Sequence, residues 1–159
     1  MAQFTMAALG WTATAIANGG TAGNSTYQAL RTVAAGAAKI GEVSVSGEGV
    51  AASVNRMVLR RISSNASTPT NVVPAPLSPF SQAALTQGYV LAGTGPTVAS
   101  TIPLIVPGVN AYGGIYRWVA APGEEIWQAT ATAPNSESIL ATVGSGGGVF
   151  SSHIIFEEC

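Results

Sequence analysis

The chain has 159 residues, 47% of them apolar and 8% charged, with a net charge of −1. A domain of this length buries about 70% of the surface its unfolded chain exposes, so one domain suffices and no metal staple is required. A charged fraction far below the roughly 25% of ordinary soluble domains leaves the exterior to Ala, Ser, Thr, Gly and Asn. Such a surface suits extensive protein contact, because Lys and Glu are depleted from the centres of interfaces; the plainer alternative is a secreted or extracellular style of composition.

Six basic residues, five of them Arg, form no run able to neutralise a line of phosphates, which argues against nucleic-acid binding. Arg56, Arg60 and Arg61 come closest. The single cysteine, Cys159, has no partner for an intramolecular disulfide, so packing alone must hold the fold and folding in the cytoplasm is compatible. The opening MAQFTMAALGW lacks the basic start and continuous apolar run of a signal peptide, and no stretch approaches the roughly 18 apolar residues of a membrane span. We therefore expect neither export by that route nor a membrane partner. The sequons at Asn24 and Asn65 are read as chance occurrences.

In chain order, residues 1–38 form an N-terminal segment that combines an arm with a first strand in 4–15. A flexible loop, NGGTAGNST, follows, and then an Ala-rich stretch at 27–38 that fits either a strand or a short helix. Residues 39–47, KIGEVSVSG, alternate with Val43 and Val45 on one face and Glu42, Ser44 and Ser46 on the other. Residues 54–63 place Met57 and Leu59 on one face and Arg56, Val58 and Arg60 on the other. The neutral stretch 64–81 carries Pro69, Pro74, Pro76 and Pro79; proline cannot donate to a sheet ladder, so the segment is expected to be a loop or an extended arm. Further strands are predicted at 89–91, 102–106, 114–120, 125–131, 138–143 and 149–157, separated by Gly and Pro turns. About eight strands without helical connections indicate a single all-β domain, an antiparallel β-sandwich or barrel whose core spans 39–159.

Residues able to carry chemistry are few. The chain has no Asp and one His, so a nucleophilic triad would need His153 oriented by a Glu, and no serine stands in a G-x-S-x-G elbow. With one His, one Cys and only Glu carboxylates, no metal site is expected. Glu124–Glu125 and Glu157–Glu158 are adjacent pairs whose side chains point to opposite sides of a strand; a cross-strand pair such as Glu42 with Glu125 has nothing to promote it. The GSGGG run at 144–148 leads into a strand and lacks the Lys of a phosphate loop. His153 shares a face with Val149 and Ile155 and is read as a structural histidine. Tyr116 and Trp118 share a face, with Trp127 beyond the Pro122-Gly123 turn; core packing is the default and a sugar-stacking platform the alternative. No catalytic residue and no cofactor follow, and the chain reads as a non-enzyme.

The order KIGEVSVSGEG, VNRMVLRRISS, PAPLSP, GIYRWVAAPGEE and GGGVFSSHIIFEE resembles small virion structural proteins of tailed bacteriophages, of the capsid decoration or cement type. The shared features fall on residues 43–46, the pair Arg60-Arg61, Trp118 with Pro122, and Phe156-Glu157-Glu158, within residues 39–159. The resemblance implies a jelly-roll-like β-sandwich at the virion surface, made in the host cytoplasm. Its partners would be the major capsid protein and itself, as a homotrimer in preference to a dimer. The expected contact residues are Pro69, Pro74, Pro76, Leu77, Pro79 and Phe80 of the proline-rich segment, with Arg56 and Arg60. A head-fibre or tail component, or a carbohydrate-binding β-sandwich, is the alternative reading.

Overall fold

The computed structural model describes residues 1–14, 28–32, 36–64, 67–94, 97–98, 103–128, 137–143 and 147–159. Among these the secondary structure is entirely β: β1 Ala2–Thr14, β2 Gln28–Arg31, β3 Ala38–Glu48, β4 Val54–Ser64, β5 Ser67–Val72, β6 Ala75–Pro76, β7 Gln87–Thr94, β8 Thr97–Val98, β9 Gly108–Asn110, β10 Tyr112–Val119, β11 Ile126–Gln128, β12 Glu137–Val143 and β13 Gly147–Glu158. The sheets run β10-β3-β13-β1-β6, with β11 also on β3, and β5-β7-β2-β12-β4-β8, with β9 also on β4. We refer to them as the first and second sheet.

Consecutive strands cross between the sheets: β1, β3 and β13 lie in the first, β2, β4 and β12 in the second. The segments β8 and β9 lie along one edge of β4, pairing Ser64 with Thr97 and Val54 with Asn110, with Leu59 bridged to Ile105 between them. They form one interrupted strand. Counting it once, the eight central strands in chain order stand 1-8-3-6 in the first sheet and 2-7-4-5 in the second, which is a jelly roll. The architecture is an antiparallel jelly-roll sandwich, and its strand segments exceed the expected eight because β5, β6, β7 and β11 are added at its borders.

One core fills the space between the sheets. Phe4, Met6, Ala8 and Trp11 of β1, Ile40, Val43 and Val45 of β3, and Phe150, Ile154 and Phe156 of β13 meet Leu30 of β2, Met57 and Leu59 of β4, and Val109 of β9. Phe4 stacks on Phe156 with centroids 5.6 Å apart, and Trp11 tilts against Phe150 at 5.9 Å. Two bulges keep the apolar residues facing inward. Between Ala8 and Trp11 the register with β13 shifts, and Gly10, at φ 59°, supplies the left-handed turn that returns Trp11 to the core side. In β3 the register with β13 shifts by one at Gly41, so that Ile40 and Val43 both point inward although their numbers differ in parity.

A buried polar chain links the sheets inside this core. The Trp11 indole N–H donates to Ser152 Oγ at 2.9 Å, Ser152 donates to Gln28 Oε1 at 2.8 Å, and Gln28 Nε2 donates to the Met6 carbonyl at 3.0 Å. Gln28 belongs to the second sheet and its partners to the first, so the chain fixes the relative position of the two layers.

The structure departs from the sequence expectations in three places. Residues 67–72 and 75–76, expected within a loop or arm, are strands. Both are edge strands, where a missing N–H is tolerated, and Pro69 lies beside the register shift between β5 and β7. Within the strand predicted at 102–106, residues 103–106 are reduced to the Ile105 bridge, since Pro103 and Pro107 interrupt the ladder while Leu104 still donates to Leu59 O and Met57 to Pro107 O. On the outer face of β4, Val58, Arg60 and Ile62 are as buried as the core face, while Val54 and Arg56 at the start of the strand are exposed. The N-terminal residues 2–14 and 28–31 are integral strands of the two sheets, and β1 lies between β13 and β6. Residue 15 of the first predicted strand, the loop at 18–26, residues 27 and 33–35 of the Ala-rich stretch, the sequons at Asn24 and Asn65, residues 102 and 129–131 of predicted strands and 144–146 of the glycine run lie outside the described residues.

Candidate interaction surface

The 77–85 loop connects the border of the first sheet to β7 of the second. At its start β6 pairs with Phe4 and Thr5, and the Leu77 N–H donates to Gln3 O at 2.9 Å. At its end the N–H groups of Leu85 and Thr86 donate to the Glu158 carboxylate at 3.2 and 2.6 Å. Between these anchors a turn closes from Ser81 N–H to Ser78 O at 3.1 Å, and the Phe80 N–H meets Ser78 Oγ at 3.4 Å. A loop with both ends tied and its tip raised is an Ω-type loop. Its tip is apolar: Phe80 is 95% exposed, and Leu77, Pro79 and Leu85 are exposed beside it.

The loop and its sequence flanks carry no charge of their own, and the carboxylate at its base comes from Glu158. Residues 62–116 contain no Lys, Arg, His, Asp or Glu. Beside the loop a groove of about 200 Å³ runs between Val72, Pro74, Ala84, Thr86 and Gly88. An exposed Phe on an uncharged loop with a fixed base is the residue type that fills a partner's pocket at the centre of an interface.

The structure divides the residues expected at the contact. Pro76, Leu77, Pro79 and Phe80 are exposed in β6 and the loop. Pro74 is buried, and Pro69 belongs to β5. Arg56 is exposed at the far end of β4. Arg60 is 2% exposed, and desolvation lowers its pKa; it is unavailable to a partner in this conformation, because the outer face of β4 is buried from Val58 to Ile62. Leu85, exposed at the end of the loop, was not among the expected contact residues, since it lies beyond the proline-rich stretch that marked the segment.

A polar cluster occupies the outer face of the first sheet. Glu42 on β3 accepts from Arg117 Nε and Nη2 of β10, both at 2.7 Å, and from His153 Nε2 of β13 at 3.0 Å. The Arg117 hydrogen bonds, set against desolvation and aided by His153, bring the Glu42 pKa down to about 2. Arg117 is raised in turn by Glu42. The fork geometry of guanidinium on carboxylate and the position of Glu42 between two neighbouring strands make this an ion-paired rivet across β10, β3 and β13. His153 accordingly has the partner of a structural histidine, and Glu125 is turned elsewhere, accepting from Gly123 N–H at 3.2 Å.

The aromatic residues divide between the core and the surface. Tyr116 and Trp118 are partly buried against the core, the default arrangement. Trp127 is half exposed, but Lys39 Nζ sits over its ring 4.4 Å from the centroid and Arg61 donates to its carbonyl. Among the described residues no three His, Cys or Glu side chains group as metal ligands, and no helix is long and apolar enough to cross a membrane. Compared with protein-family models, with curated proteins and with solved structures, the chain matches none.

Proposed function

We propose that this chain is a virion structural protein that decorates a bacteriophage capsid, binding the major capsid protein and stabilising the expanded shell. The observation that carries the reading is the exposed, uncharged 77–85 loop with Phe80 at its tip, held at both ends by β1 and β13. A jelly roll is a frequent architecture in virion proteins, although fold alone assigns no function. In this reading the loop inserts Phe80 and Leu77 into an apolar seam between capsid subunits. A protein that binds only the mature lattice stabilises it by mass action, and association of copies at neighbouring sites strengthens attachment without new contacts. No step of this role requires catalysis, a cofactor or a metal.

The test is co-sedimentation with undecorated, expanded heads of the phage that encodes the chain. The wild-type protein is expected to bind saturably, and Phe80→Asp to bind about tenfold more weakly or worse while keeping its far-ultraviolet circular dichroism. Absence of wild-type binding at saturating concentration would refute the reading.

A further inference from the structure

Sheet edges are hazards, because their unpaired N–H and C=O groups recruit other strands; proteins guard them with proline, bulges, short strands or charge. In this molecule the guarding is uneven. The outer edge of the second sheet on one side is β5, which carries Pro69; on the other it is the interrupted strand β8–β9, with Pro103 and Pro107. The first sheet ends on one side at β6, two residues long and containing Pro76. On its other side β11 is three residues long, and Arg61 occupies the Trp127 carbonyl.

The remaining edge, β10, has none of these devices between its Gly113-Gly114 irregularity and the turn at Pro122. Among the described residues it pairs with β3 alone. Ile115 is 79% exposed and Val119 54%, both on the outer face. The one charge in the strand, Arg117, is folded back onto Glu42 and does not serve as a free guarding charge.

The pattern Ile115-Tyr116-Arg117-Trp118-Val119 is also self-complementary. In an antiparallel pairing about a two-fold axis at Arg117, Ile115 faces the second copy's Val119 and Tyr116 faces the second copy's Trp118. Aliphatic pairs then lie on the outer side and aromatic pairs on the core side, the combinations that favour cross-strand pairing. The two Arg117 side chains meet at the axis, where like charges would oppose association, but each brings its Glu42, so the junction holds two positive and two negative charges and is neutral.

We infer that β10 is the edge through which two copies of this chain join, strand to strand, into one continuous sheet. The occupant is a second copy because the two-fold register sets Ile115 against Val119 and Tyr116 against Trp118, while each Arg117 brings its own Glu42 to the axis. Such an isologous contact closes as a dimer and does not by itself build a trimer. The inference stands apart from the capsid reading and uses no residue of the 77–85 loop.

Sedimentation velocity over a dilution series tests it, with two double variants on exposed positions: Ile115→Lys with Val119→Lys, and Ile115→Glu with Val119→Glu. The wild type is expected to be a dimer that dissociates on dilution. Each double variant should lose the dimer, because like charges then oppose one another across the axis, and an equimolar mixture of the two should recover it as a heterodimer through Lys–Glu pairs. That recovery also establishes that both variants are folded. A dimer that persists in both variants, or a mixture that fails to associate, overturns the inference. So does a wild type that is monomeric at the highest concentration, which assigns the edge to a strand of another protein, or one that is trimeric.

Discussion

Glu42 holds a carboxylate among three strands, and its titration gives that role a measurable sign. In the fold its pKa is about 2, against 4.5 for an ordinary glutamate, chiefly through Arg117. Because the folded pKa is depressed, the unfolded chain takes up the proton first as pH falls. The contribution of Glu42 to stability is therefore complete above about 4.5 and is lost progressively as pH drops toward about 2. The thermal midpoint of the wild type should fall more steeply across that window than that of Glu42→Gln, measured by melting at a series of pH values. Parallel slopes would show that the rivet adds nothing. Gly88 illustrates a different residue-scale constraint: a Cβ there would meet Met6 Sδ and, at 2.6 Å, Val72 O, so the bare backbone of β7 admits a core side chain from the opposite sheet. The alternation of Val43, Val45, Ser44 and Ser46 was legible because each is typical of its side. Arg60 was not, since an arginine reads as solvated wherever it stands, and its burial depends on what covers β4.

At the scale of elements, period-2 alternation located strands wherever they were regular, including β3, β4, β10 and β13. Proline was the source of both errors in the opposite direction. It was taken to end strands at 64–81, yet edge strands accommodate it; apolar residues were taken to make a strand at 102–106, yet Pro103 and Pro107 break it. The bulges at Gly10 and Gly41 could not be read in advance, because a glycine in a strand signals a bulge only once the partner register is known. Of the candidate surface, the apolar residues of the loop were legible and the anchors were not, since Gln3 and Glu158 are far from it in sequence. These anchors predict that replacing residues 78–83 by a short Gly-Ser linker leaves the melting midpoint within a few degrees, as an exposed segment should, consistent with surface changes of about 0.5 kcal/mol or less. A large fall in the midpoint would make the loop part of the folding unit.

For the whole molecule, a single core shared by both sheets implies a single cooperative transition. The three tryptophans, Trp11, Trp118 and Trp127, all belong to strands of the first sheet, whereas circular dichroism reports both sheets. Denaturant unfolding followed by tryptophan fluorescence and by circular dichroism should give coincident curves; separated midpoints would show that the sheets come apart independently. The topology carries a further consequence for how the protein comes into being. β13 follows every other strand in the chain, yet it lies at the centre of the first sheet, between β1 and β3, and its Glu158 ties down the 77–85 loop. During vectorial synthesis the nascent chain therefore holds an incomplete sheet, with the apolar sides of β1 and β3 lacking the strand that joins them, until β13 clears the ribosome. This jelly roll cannot close before β13 has emerged, and the interval before β13 arrives is when the chain most needs a chaperone.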